Sequence, residues 1–191
     1  MKKVYSILGR KRTGKDTVAD YITEQVGAKK LACAAPLKRI VCAMFGIHQV
    51  QLDVWKNEKY KFFAESPSGE RVLMDCDFRS VLADGGVAMK EELGTDFFTK
   101  CAHKEMLESG EGVFVVPDMR MKEEHEWFLR APCDTTFIKI VRNVKKDSNS
   151  AHITETEVDM LGADIVIYNN GTLDELYAKI DRIIKKDKCV K

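Results

Sequence analysis

Apolar residues fall along the chain in two alternating rhythms. Short unbroken runs occur at Val4-Tyr5-Ser6-Ile7-Leu8, Val113-Phe114-Val115-Val116, Phe137-Ile138-Lys139-Ile140-Val141 and Asp164-Ile165-Val166-Ile167-Tyr168. They have the length of buried strands. Between them, apolar residues recur every three or four positions, as on one face of a helix. Val18, Ile22 and Val26 form one such stripe, ended by Gly27. Leu37, Ile40, Val41, Met44 and Phe45 form another, opened by Pro36 and ended by Gly46. Ala28 to Ala32 reads as a short second strand. Arg79 to Leu93 is helical, with a kink or break expected at Gly85-Gly86. Thr95 caps a helix to about Glu108, and another covers Lys122 to Leu129. The last helix carries Leu173, Leu176, Ile180, Ile183 and Ile184 behind a capping box, Thr172-x-x-Glu175.

Two stretches keep neither rhythm. Residues 47–77 mix Trp55, Tyr60, Phe62 and Phe63 with lysines around a turn at Ser66–Gly69, and read as the lining of a small-ligand cleft or the cover of a core edge. Arg142 to Glu157 is polar and basic. Strands alternating with helices predict an α/β fold: a parallel sheet of about five strands with helices on both faces. One domain spans 1–191, with a small insertion and a lid.

The segment after the first apolar run is Gly9-Arg10-Lys11-Arg12-Thr13-Gly14-Lys15-Asp16-Thr17. Strand before and helix after make it a phosphate-binding loop. Gly9 and Gly14 let main-chain N–H groups face inward, the helix adds the positive end of its dipole, and Lys15 reaches the β- and γ-phosphates. Lys11, Arg12 and Thr13 lie inside the loop. Asp16 stands where Ser or Thr is usual, with Thr17 one residue later. A carboxylate there can hold Mg²⁺ directly or through water, accept a substrate proton, or cap the helix. The ligand class is a nucleoside triphosphate.

Composition narrows the partners. The 191 residues carry 31 Lys+Arg against 30 Asp+Glu, so no global basic field favours nucleic acid. No apolar run is long enough to span a membrane, and Met1-Lys2-Lys3 enters a strand without a signal sequence. Six cysteines stand singly, without a C-x-x-C pair, as buried thiols of a reducing cytoplasm do. A homodimer is compatible with this composition.

In such folds the ligand sits at the carboxyl ends of the strands. Asp118 and Arg120 follow one strand: Asp118 can organise Mg²⁺ or its waters, and Arg120 can grip a phosphate with two prongs. Arg142 follows the next, and with Lys145 and Lys146 it starts the candidate lid, 142–157. His152 reads as a packing or capping residue. Lys38 and Arg79, at two helix starts within a candidate acceptor-binding region 37–95, are suited to an acceptor phosphate.

Read in order, the pieces resemble the deoxynucleoside monophosphate kinases of tailed bacteriophages. They are Lys11-Arg12-Thr13-Gly14-Lys15-Asp16-Thr17, Leu93-Gly94-Thr95-Asp96, Val116-Pro117-Asp118-Met119-Arg120 and Val141-Arg142. They continue with Lys146-x-Ser148-Asn149-x-x-His152-Ile153-Thr154-Glu155 and Asn169-x-Gly171-x-Leu173-x-Glu175-Leu176. The resemblance implies a P-loop nucleoside monophosphate kinase fold and transfer from ATP, with Mg²⁺, to a small-molecule deoxynucleoside monophosphate (dNMP) in the cytoplasm, that of the host for a phage protein. It implies a triphosphate role for Lys15, Asp16 and Thr17, active-site roles for Asp118, Arg120 and Arg142, and a place near the donor adenine for Asn169 to Gly171. Region 47–90 matches poorly and looks short, which leaves the accepted base open. Animal-type phosphomevalonate kinases share the Gly-Lys-Asp loop and a Pro-Leu-Lys helix start, as in Pro36-Leu37-Lys38, but lack the His-Ile-Thr-Glu stretch. A switch GTPase would show Asn-Lys-x-Asp, which is absent.

Overall fold

The computed structural model describes residues 1–143 and 153–188, with 153–156, 188, Ala64, Met74 and Asp118 placed by backbone alone. The chain opens with β1 (Lys2–Leu8), α1 (Lys15–Val26) and β2 (Lys29–Lys30), then runs through α2 (Ala35–Phe45), α3 (Gln49–Trp55), β3 (Tyr60–Glu65), β4 (Arg71–Cys76), α4 (Phe78–Leu93) and α5 (Phe97–Glu108). It continues with β5 (Val113–Met119), α6 (Lys122–Arg130), β6 (Cys133–Val141), α7 (Ile153–Met160), β7 (Ile165–Tyr168) and α8 (Leu173–Lys188). Two compact units result: Met1–Cys33 with Ala102–Lys191, and the intervening Ala34–Cys101.

The first unit is the expected parallel sheet, five strands in the order β2-β5-β1-β6-β7. β1 is central, and its side chains alternate between two cores. Tyr5 and Ile7 join Val18, Ile22, Leu176 and Ile180 of α1 and α8. Val4 and Leu8 join Met106, Phe128, Val158 and Leu161 on the other face. A strand segment covered on both sides is largely apolar, which is why Val4–Leu8, Val113–Val116 and Phe137–Val141 read as nearly continuous runs. Ser6 is the exception in β1; its hydroxyl donates to the Met119 sulfur at 3.2 Å. Each fully buried side chain of the Leu, Ile or Phe class contributes about 1.5–3 kcal/mol, so the carboxyl end of β1 is a firm platform.

The second unit packs α2, α3, α4 and an antiparallel β3–β4 hairpin around Leu37, Val41, Leu52, Phe78 and Phe98. Neither α3 nor the hairpin is legible as a sequence rhythm. In the aromatic stretch, Trp55, Tyr60 and Phe62 cover the edge of this core, with Trp55 stacked on Tyr60 at 4.1 Å. Phe63 faces solvent, with the Arg71 guanidinium over its ring. α4 runs through Gly85-Gly86 without the break expected there. A Cβ at Gly86 would lie 3.1 Å from Leu37 Cδ2, so the small residue serves close packing of α2 on α4. Only the Leu37–Val41 side of the α2 stripe is buried; Met44 is 73 % exposed, because the stripe is wider than the contact α2 makes.

Candidate active site

Leu8, the last residue of β1, is followed by a loop that the backbone forces into one shape. A Cβ at Gly9 would stand 2.7 Å from Thr13 Oγ1 and 2.8 Å from the Ile140 carbonyl oxygen. At Gly14, where φ is 94°, it would stand 2.5 Å from Asn169 Nδ2. Neither position accepts a side chain without displacing its neighbours. Between them the turn closes on Arg10: its carbonyl accepts from the Thr13 hydroxyl at 2.9 Å and the Thr13 amide at 3.4 Å. Arg12 takes a positive φ of 65°, uncommon outside glycine.

α1 begins at Lys15, so its first-turn amides and dipole are directed at the loop. Lys15 is 6 % exposed, yet its ammonium lies 3.3 and 3.4 Å from the two carboxylate oxygens of Asp16. Asp16 itself is open to solvent, its side chain 76 % exposed, and Thr17 is half-buried beside it. Among the described residues no three His, Cys, Asp or Glu side chains form a cage for a metal. Mg²⁺ in a triphosphate site takes one or two protein oxygens and otherwise phosphate oxygens and water. The Asp16 carboxylate and the Thr17 hydroxyl fit such a donor set.

The strands flanking β1 bring the remaining candidates to the same edge. On one side Met119 of β5 pairs with Leu8, so Asp118 and Arg120 leave beside Gly9. The Glu124 carboxylate accepts from the amides of Arg120 and Met121 at 3.1 and 3.2 Å, which fixes the exit of the chain into α6. On the other side Arg142 follows β6 and is exposed. Its neighbours are tied down: the Asn169 amide donates to the Val141 carbonyl at 2.7 Å, and the Asn143 amide to Asn170 Oδ1 at 2.9 Å. Lys145, Lys146 and His152, and most of the expected lid, lie outside the described residues.

Asn169, only 8 % exposed, turns inward, and its Nδ2 donates to the Thr13 carbonyl at 2.8 Å. It braces the loop from the end of β7, a contact that sequence reasoning misses. The family resemblance put Asn169 near the donor adenine, but nothing local in the sequence points to Thr13 as its partner. Gly171 leaves room for the capping box: Thr172 N–H to Glu175 at 3.2 Å and Glu175 N–H to Thr172 at 3.3 Å, where a Cβ would collide with the Glu175 carboxylate. Arg10, also not singled out by the sequence, bonds Asp159 of α7 through Nε at 3.1 and 3.0 Å.

The other two candidates sit in the second unit, at one end of α3. Lys38 Nζ lies 2.9 Å from Asp53 and Lys56 Nζ 2.7 Å from the same oxygen, while Arg79 donates to Asn57 at 2.6 Å. Burial pushes the Asp53 carboxyl up, but Lys56 and Lys38 together outweigh it and hold it below its ordinary value.

Residues 3–69 and 85–180 match the family model of the deoxynucleotide monophosphate kinases. The chain belongs to that family. The deoxynucleotide monophosphate kinase of Enterobacteria phage T4 is 27 % identical, over 96 % of this chain and 99 % of its own. That of Escherichia phage RB69 is 25 % identical, over 93 % and 97 %. Among solved structures, TT1252 from Thermus thermophilus superposes with a TM-score of 0.51 at 16 % identity, covering 97 % of each chain, a likeness of fold. Residues 70–84, holding β4 and the start of α4, fall outside the family match, a narrower gap than the expected 47–90. As a deoxynucleotide monophosphate kinase the chain is a phosphotransferase whose substrate is a small nucleotide and whose phosphate donor is ATP; the phosphomevalonate alternative is not favoured. No described helix is long and apolar enough to cross a membrane.

Proposed function

We propose that the chain transfers the terminal phosphoryl group of Mg²⁺-bound ATP to the 5′-phosphate of a deoxynucleoside monophosphate, yielding a diphosphate for DNA precursor synthesis in the cytoplasm, that of the host if the chain is phage-encoded. An acceptor phosphate oxygen forms a bond to the γ-phosphorus as the bond from that phosphorus to the β,γ-bridging oxygen breaks, and ADP leaves. The observation that carries this reading is the cradle itself. Two glycine positions that exclude a side chain and a buried ammonium meet at the carboxyl end of the central strand. The buried Lys15 ammonium, beside the solvent-facing Asp16 carboxylate, adds a positive charge where the loop would hold a triphosphate.

The chain has little covalent chemistry to do; it orients two anions in line and offsets their charge. Gly9, Lys11, Arg12, Thr13 and Gly14 form the loop that holds the β- and γ-phosphates together with Lys15. Asp16, Thr17 and Asp118 would hold Mg²⁺, which would neutralise phosphate charge. Arg120 and Arg142 add positive charge on the two sides of β1, where the γ-phosphoryl group moves. Lys38 and Arg79, in an acceptor-binding region 37–95, bind the acceptor phosphate, and Asp118 helps to place the acceptor. Asn169 and Gly171 complete the donor side.

The test is a panel of dAMP, dGMP, dCMP, dTMP and phosphomevalonate, each with ATP and Mg²⁺, read by chromatography of the products. ADP and a deoxynucleoside diphosphate should appear together for at least one deoxynucleotide. ADP formed only with phosphomevalonate, or at the same rate without acceptor, removes the reading.

A further inference from the structure

We propose that Asp159 is a positioning residue for the donor loop, acting through Arg10. This rests on the reading of Gly9 to Thr17 as the ATP loop. Arg10 is the node of that loop, since its carbonyl takes both bonds from Thr13. Its guanidinium is gripped by both carboxylate oxygens of Asp159, through Nε at 3.1 and 3.0 Å and through Nη2. A two-pronged guanidinium–carboxylate pair fixes direction as well as distance.

Asp159 stands on a rigid base. The Lys139 ammonium donates to the carbonyls of Asp159 and Leu161 at 2.8 and 2.9 Å, closing the end of α7 where backbone carbonyls lack helical partners. His125 Nε2 meets the Gly162 carbonyl at 2.9 Å, and Val158 and Leu161 are buried in the core beneath. Lys139 itself pairs in register with Leu8, one residue before the loop. The loop is therefore clamped at both shoulders, by Asn169 on Thr13 and by Asp159 on Arg10. Such a clamp is needed. Arg10, Lys11, Arg12 and Lys15 crowd four cations into six residues, and Arg12 keeps a positive φ that persists only when its surroundings impose it.

Both partners are partly open, 44 % and 48 % exposed, so the pair adds little to global stability. Its effect falls on donor binding. In the full chain, Asp159→Asn should raise KM for ATP about three- to tenfold, the reach of one well-aligned, partly exposed pair, with kcat and the KM for the deoxynucleotide within twofold. Asp159→Glu, which keeps the charge, should recover most of the loss. Arg10→Ala should weaken ATP binding at least as much as Asp159→Asn, and the double variant should be no worse than Arg10→Ala. An unchanged KM for ATP, equal changes for both substrates, additive single effects or a collapse in melting temperature would each overturn the assignment. If the parent chain phosphorylates no deoxynucleotide, the functional reading fails. The affinity of the same variants for a non-hydrolysable ATP analogue still decides the role of Asp159.

Discussion

Asn169→Ala separates two things the donor side could owe to this residue. The amide is buried and gives one bond, at 2.8 Å, to a buried carbonyl of the loop. Alanine removes the donor and leaves the Thr13 carbonyl unpaired, which costs about 1–3 kcal/mol. That cost falls on the loop, because the remaining ties of the segment, Asn169 N–H to Val141 and Asn143 N–H to Asn170, are untouched. A loop destabilised by 1–2 kcal/mol is formed in fewer molecules, and the apparent donor affinity drops by about 5- to 30-fold. Calorimetric titration with Mg·ATP and with inorganic triphosphate reads the effect. A brace on the backbone acts before any base is bound, so both ligands should weaken by the same factor. The melting temperature should fall by only a few degrees. Weakened ATP binding with unchanged triphosphate binding would mean that Asn169 touches adenine instead, and the bracing argument would be wrong.

Lys15→Ala should lower kcat by about a hundredfold or more with the circular dichroism spectrum intact, since its Asp16 partner already faces solvent; near-normal turnover would count against the cradle. Arg142→Ala, at an exposed site, should likewise impair turnover without unfolding the chain, and an unaffected kcat would remove it from the site. Gly85→Ala should stabilise the chain by about 0.5–1 kcal/mol in urea titration, because a Cβ there meets nothing within 4 Å; a loss would contradict an unbroken α4. Lys56 and Lys38 hold the Asp53 carboxyl below its ordinary value, so its contribution is present above the ordinary carboxylate range and is lost as pH falls through the lowered value. Asp53→Asn should accordingly shift the acid-unfolding midpoint upward and flatten the slope there, and identical acid titrations for both chains would refute the Lys38–Asp53–Lys56 cluster.

Much of the sheet was readable because strand segments covered on both faces are largely apolar, as in Val4–Leu8, Val113–Val116 and Phe137–Val141; β7 reads the same way although Val166 and Tyr168 are exposed at the sheet edge. Caps were readable where a local bond is made by residues a few positions apart, as at Thr172 and Glu175. The β3–β4 hairpin was not, since Phe62 and Phe63 are adjacent but point to opposite sides, one to the core and one to Arg71. The glycines of α4 misled for a related reason. A glycine chosen to admit Leu37 looks in sequence like one chosen to bend a helix. At the site, Gly9, Gly14 and Lys15 follow from local chemistry, whereas Asn169 on Thr13 and Asp159 on Arg10 join residues far apart in the chain. Only the topology brings those pairs together.

The order of the sheet also bears on how the chain acquires its shape. Lys3 finds its partner at Val113, and Lys2 finds one at Cys133, with the whole second unit strung between them. During synthesis β1 emerges early and must wait for both neighbours, a long-range closure of the kind that slows folding. Throughout that wait its two hydrogen-bonding edges stay open, and the face that later meets Met106 and Phe128 is uncovered, so a stray strand from another nascent chain can pair with it. The stretch that prepares the nucleotide pocket is thus also where misassembly should begin, so a chaperone holding the amino-terminal segment should raise the yield of active kinase more than one acting after release.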